Sequence, residues 1–400
     1  MLSPSFLAVT YINMNFFIGH YLFANKMVYA HFLSDYKLWE FYSDRMLFFN
    51  AINLIIILAY FVNFKIKPKY PLLVDLKKIN QSVLIFVTLV LYIISLVFKP
   101  SFSFFGGSGN FSIIFRSFFI IVLIVFISKS SNLIKRVLLY LLTIFLFLLS
   151  SIHSKRDAIF LLLPIILLES RRIVISFSIK KILIIASVTI VMMYTIIAMS
   201  IVRGYGYKAD SFVDALKYVN RYTQSSFFIP AIANNLEFSY TYLHSNNVIE
   251  HVKKGKMDFL YGETFIKPLF VLIPRSVFSL KPRSAIDHYT RSYDLKFRNR
   301  GGSYPVSIQS EFFLNFGFYS LIVAFIFFVI INGLYRFTLK LIESNNILNY
   351  VYLLYAYETY LILVRGSGLD IFTVSLIIFW IFFISYKLFV KILTQSIDNG

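Results

Sequence analysis

Stretches of about 20 mostly apolar residues, the length a helix needs to cross a hydrocarbon core of about 30 Å, recur from one end of this chain to the other. In lipid every backbone polar group must be satisfied within the chain, so the recurrence points to an all-α polytopic membrane fold. Composition agrees: of 400 residues, 58% are hydrophobic, 19% aromatic and only 14% charged. Soluble domains carry roughly a quarter charged positions, and a soluble enzyme is excluded. About ten spans are predicted: 3–23, 46–64, 79–98, 112–128, 137–151, 155–168, 182–202, 306–334, 347–364 and 369–390. The span at 155–168 is short and holds Pro164, which predicts a kinked helix.

Lys and Arg number 39 against 19 Asp and Glu, a net charge of +20. In a soluble chain that excess would suggest nucleic acid, but here it collects in alternate loops. Lys65, Lys67, Lys69, Lys77 and Lys78 share one loop and Lys129, Lys135 and Arg136 another. Arg171, Arg172, Lys180 and Lys181 follow, then Arg336 and Lys340, then Lys387 and Lys391. The positive-inside bias places these loops and both termini in the cytoplasm, with no nucleic-acid partner. The first 23 residues have no basic leader and no small-residue cleavage site, so they are expected to remain as the first span. The absence of Cys excludes disulfides, iron–sulfur clusters and thiolate metal sites.

Residues 203–305 form an outer segment far longer than the usual connection of about 4–6 residues. The chain thus divides by sequence into 1–202 with about seven spans, the loop 203–305, and 306–400 with about three. Inside the loop, 227–236 and 265–274 are apolar, too short to span and broken by Pro, as interfacial or re-entrant helices are. No internal repeat is present, which removes the usual signature of a transporter.

Arg156, Arg203, Arg275 and Arg365 stand at the outer ends of spans or apolar pieces. Guanidinium forks match phosphate oxygens and stay charged at physiological pH, so the four are candidates for a diphosphate site. The alternative is that each snorkels to headgroups or pairs with a nearby acid, as Arg156 could with Asp157. Glu311 lies just inside a span, where a carboxylate is expensive. Ser307, Gln309, Ser310 and Asn315 surround it with polarity, and Glu311 and Asn315 share a helix face, for chemistry or for packing inside the bundle. His244 and His251 are seven apart on a possible helix and His288 follows Asp287, but no set has metal spacing. Asp35, Glu40 and Asp44 are spaced loosely and matched by Lys37 and Arg45. Nucleotide loops and the serine-hydrolase elbow are absent.

The run GGSYPVSIQSEFFLNFG, residues 301–317, resembles the signature of the oligosaccharide repeat-unit polymerases, the O-antigen polymerase (Wzy) type. So does YGETFIKPLFVLIPRSVFSLKPRS, residues 261–284. Span number, the large outer loop, Arg365 with Gly366, and the spacing of Arg291 to Gly302 are similar too. The resemblance implies a GT-C-like glycosyltransferase in the bacterial cytoplasmic (inner) membrane, with its site on the outer face. It would join undecaprenyl-diphosphate-linked oligosaccharides into O-antigen or capsular polysaccharide, beside a flippase and a chain-length regulator. A lipid-linked oligosaccharide flippase and the related O-antigen ligase are the alternatives. The chemistry implied needs no cofactor and no metal: arginines offset the charge of the leaving diphosphate. A base accepts the proton of the attacking hydroxyl, with Glu311 first and His288 and Glu263 behind it. Arg291, Tyr304 and Asn315 are expected to contact acceptor or loop.

Overall fold

The computed structural model describes residues 4–29, 33, 42–62, 81–97, 111–128, 130–151, 164–166, 168–169, 179–202, 209–235, 238–270, 273, 277–342, 346–365 and 368–398. Among these the regular structure is entirely helical. In chain order the helices are α1 (Pro4–Ala24), α2 (Tyr42–Val62), α3 (Gln81–Val97), α4 (Phe111–Ile127), α5 (Leu133–Ser151), α6 (Ile179–Val202), α7 (Phe212–Thr223) and α8 (Phe228–Asn235). They continue as α9 (Phe238–Lys253), α10 (Glu263–Ile266), α11 (Ala285–Tyr293), α12 (Leu295–Asn299), α13 (Ile308–Phe316), α14 (Ser320–Leu341), α15 (Asn346–Val364) and α16 (Leu369–Asp398). Four described segments are long and apolar enough to cross a bilayer: Phe6–Ala24, Asp44–Val62, Ile308–Lys340 and Phe372–Phe389. This is an all-α membrane protein. Helices α3, α4, α5, α6 and α15 lie over five more of the expected spans. Most of 155–168 falls outside the described residues.

Contacts divide the chain into two compact units, and the long segment after α6 is shared between them. One unit comprises Met1–Asn13, Phe41–Val125 and His244–Gly400. Within it α14 packs along α2, and α16 packs on α15 and α3. Rings fill that interior: Phe118 meets Tyr355 at 5.1 Å and Phe382 at 4.8 Å, and Tyr352 meets Phe379 at 4.6 Å. Such pairs add about 0.5–1.5 kcal/mol each beyond burial. The buried Tyr360 hydroxyl donates to the Ile331 carbonyl at 3.0 Å and ties α15 to α14.

The second unit comprises Met14–Glu40 and Phe126–Leu243. Its core joins Ile197, Ala198 and Ile201 of α6 to Ala215, Val219 and Tyr222 of α7 and Ala231 of α8. Helix α7 starts at the Ser211 cap, whose Oγ accepts the Asp214 N–H at 3.1 Å, and it turns Val213, Leu216 and Tyr218 outward. Arg136, expected among solvated basic residues, instead forks onto Glu169 with two contacts of 3.2 Å. Tyr140 donates to the same carboxylate at 3.0 Å.

The span expected at 306–334 falls within the apolar segment Ile308–Lys340, which is not one unbroken helix. The chain breaks at Gly317 (φ 55°, ψ −131°), and a 3-10 turn over Gly317–Tyr319 separates α13 from α14. That positive φ suits glycine alone. The polar residues of α13 take protein partners, and the long apolar stretch is left to α14.

Candidate functional site

The site lies in the first unit, where polar side chains hold α13. Its cap Ser307 donates its N–H to Ser245 Oγ at 3.2 Å, and Ser310 Oγ donates to the Ser245 carbonyl at 2.9 Å. Gln309 Nε2 donates to Asn53 Oδ1 at 2.7 Å, and the Asn53 amide donates in turn to Asn13. Ser307, Gln309, Ser310, Glu311 and Asn315 are all buried, Glu311 with 1% exposure. The polar face of α13 therefore points into protein.

Asn315 uses its whole amide. Oδ1 accepts the N–H groups of Gly262 (3.1 Å) and Thr264 (3.4 Å), while Nδ2 donates to Thr264 Oγ1 (2.9 Å) and to the Glu311 carbonyl (2.8 Å). The Phe265 ring packs at a tilt against those of Phe312 and Phe316, at 4.9 and 5.5 Å. The sequence stretches at 261–284 and 301–317 are thus joined through one side chain, and Asn315, expected to contact acceptor or loop, braces the loop. Each orphaned buried group costs about 1–3 kcal/mol. Asn315→Ala, which strands several, is expected to lower stability by about 3 kcal/mol or more. Thermal unfolding in detergent measures it, and an unchanged transition would show that these bonds contribute nothing net.

The brace sets the start of α10, whose first residue is Glu263. Its Oε1 accepts the Arg283 N–H at 3.0 Å and His288 Nε2 at 3.2 Å. The two side chains are 37% and 22% exposed. With Nε2 donating to the carboxylate, Nδ1 carries the lone pair. Nδ1 has no hydrogen-bond partner among the described residues. Sequence placed His288 and Glu263 as separate candidates; the structure makes them a pair.

The residue before His288 on α11 gathers cations. Asp287 Oδ1 accepts from Arg298 Nε at 2.5 Å, and Oδ2 accepts from Arg291 Nε at 3.0 Å with Arg283 Nε 3.8 Å away. Burial pushes the Asp287 carboxyl up, but the hydrogen bonds and charges of Arg298 and Arg291 outweigh it and hold it below the usual 3.8. A depressed carboxylate contributes stability that is complete at neutral pH and is lost as pH falls below the usual carboxylate range.

His244 and His251 do lie on one helix, α9. His244 is buried, its Nδ1 2.9 Å from the Tyr289 hydroxyl and its ring 4.3 Å from that of Tyr304. Tyr304 N–H donates to Thr290 Oγ1 at 3.0 Å. These rings are packing that fixes α11 against α9.

Arg365 ends α15, partly buried. Arg156, Arg203 and Arg275 lie outside the described residues, as do Asp35 and Glu40, while Asp44 is exposed. No metal-binding group of His, Cys, Asp and Glu occurs among the described residues. Arg45 is buried and bonds Glu250, which also holds Lys254 Nζ at 2.7 Å. Sequence reasoning missed this pair, although Glu250 is the only carboxylate in α9. It also missed Arg283 and Arg298 as partners of Asp287; Arg283 and Arg291 each stand four residues from it, whereas the contact of Arg298 is set by the fold. No protein-family model, curated protein or solved structure matches this chain.

Proposed function

We propose that this protein is a metal-independent membrane glycosyltransferase that polymerises polyprenyl-diphosphate-linked oligosaccharides at the outer face of a bacterial cytoplasmic membrane, through about ten spans in a GT-C-like arrangement. The observation that carries the reading is the His288–Glu263 pair, which shares Arg283 with the arginine cluster on Asp287. In the reaction the acceptor hydroxyl oxygen bonds to the anomeric carbon as the bond from that carbon to the diphosphate oxygen breaks. The electron pair leaves with the diphosphate, and the hydroxyl proton passes to His288 Nδ1. Glu263 fixes the ring and offsets the charge of the imidazolium. Glu311, first in the sequence order, stands behind this pair because at 1% exposure it is far less open to a sugar hydroxyl than His288.

Purified protein given lipid-linked repeat units should produce a ladder of products; transfer of a preformed chain to a lipid acceptor without a ladder would make it a ligase. Orientation has its own test in this Cys-free chain. A cysteine replacing the exposed Ser211 should react with an impermeant maleimide from the outside, and reaction from the cytoplasmic side alone would remove the outer-face site.

A further inference from the structure

Asp287 is one carboxylate with three guanidiniums on it. An ordinary buried ion pair balances; this one keeps two positive charges in excess. The manner of contact matters as much as the count. Arg291 and Arg298 hydrogen-bond Asp287 through Nε, and Nε is also the atom by which Arg283 comes within ion-pair distance. Arg298 spends Nη1 on the Gly302 carbonyl at 3.2 Å, where a Cβ on Gly302 would run into the Phe297 ring. The terminal nitrogens of Arg283 and Arg291 have no partner among the described residues. These side chains are 50% and 40% exposed, and that of Asp287 is 11% exposed. The carboxylate is therefore a buried post that gathers partly exposed guanidiniums around it.

We propose that Arg283, Arg291 and Arg298, held on Asp287, form a binding site for a phosphate-type dianion. Two excess charges match a dianion better than a single carboxylate, and guanidinium forks match its oxygens geometrically. The site is built before any ligand arrives, so little side-chain ordering is left to oppose binding. Its neighbour is the His288–Glu263 pair, through Arg283, whose backbone serves one and whose side chain serves the other. The existence of the site is independent of the proposed transferase. Only the choice of a lipid-linked diphosphate as its physiological occupant rests on that reading.

The test uses full-length protein in detergent at fixed ionic strength, with inorganic pyrophosphate as the probe and calorimetry as the readout. Wild type should bind, and Arg291→Gln and Arg298→Gln should each weaken binding at least about tenfold, since a charge-assisted bond is worth about 1.5–3 kcal/mol. Asp287→Asn separates an organised site from a merely basic surface. It raises the local positive charge, so a basic surface would bind more tightly, whereas a site that needs its post binds more weakly. Arg291→Lys keeps charge and loses the fork, and covers the case in which Asp287→Asn does not fold. Exposed Lys296→Gln, which does not touch Asp287, should leave binding unchanged. Tighter binding by Asp287→Asn, or equal losses with Lys296→Gln, would overturn the site. In competition, solubilised polyprenyl diphosphate displacing the probe assigns the lipid-linked source, and phosphatidylglycerol doing so assigns a headgroup. Galacturonate displacing it equally well would overturn the preference for a dianion. Polymer formed without pyrophosphate binding rejects this site and keeps the transferase; binding without polymer does the reverse.

Discussion

His288→Ala is expected to reduce the rate of polymer extension by about two to four orders of magnitude, the usual value of a positioned general base. The variant should still insert and unfold with the wild type, because the ring is partly exposed and bonds only Glu263 among the described residues. Glu263→Gln keeps an oxygen to receive Nε2–H but removes the charge that steadies the imidazolium, so a smaller loss of about ten- to a hundredfold is expected. Near-normal extension by His288→Ala would return the role of base to Glu311.

The largest stability effect should come from Arg45. Its side chain is 1% exposed and that of Glu250 11%, so removing Arg45 leaves the enclosed Glu250 carboxylate with only the more exposed Lys254 to offset it. Arg45→Met is expected to cost about 3–5 kcal/mol, whereas Arg45→Met with Glu250→Leu should recover most of it, since a buried pair often does little better than apolar residues of similar volume. Detergent-based unfolding of the two single variants and the double variant reads the coupling directly. A single variant within about 1 kcal/mol of wild type would place the pair among solvated ones.

The helices were largely legible because apolar length is a local property. The starts of α1 and α2 fall within a few residues of the expected spans, and α15 nearly coincides with 347–364. What escaped is the product of contacts distant in sequence. Gly317 is the local mark of the break, but that α13 is received by Ser245 and Asn53 from other helices could not be read from its neighbours. The candidate site divides in the same way. Glu263, His288 and Asn315 could each be singled out by residue type and surroundings, but that the first two pair and that the third braces α10 depends on how α10, α11 and α13 meet. The Arg45–Glu250 pair escaped for the same reason: its two members are 205 residues apart.

The break before α14 also bears on how the protein is made. By apolar content, Ile308–Lys340 is one insertable segment of 33 residues, longer than the roughly 20 a bilayer core accommodates in a helix. During synthesis α14 can enter lipid on its own apolar surface, but α13 cannot, because Gln309, Ser310 and Asn315 would reach hydrocarbon with their donors and acceptors bare. Their partners Asn53, Ser245 and Thr264 all precede them in the chain. The receiving surface has therefore already left the ribosome when α13 emerges, and the order of translation itself delivers this helix to a prepared seat.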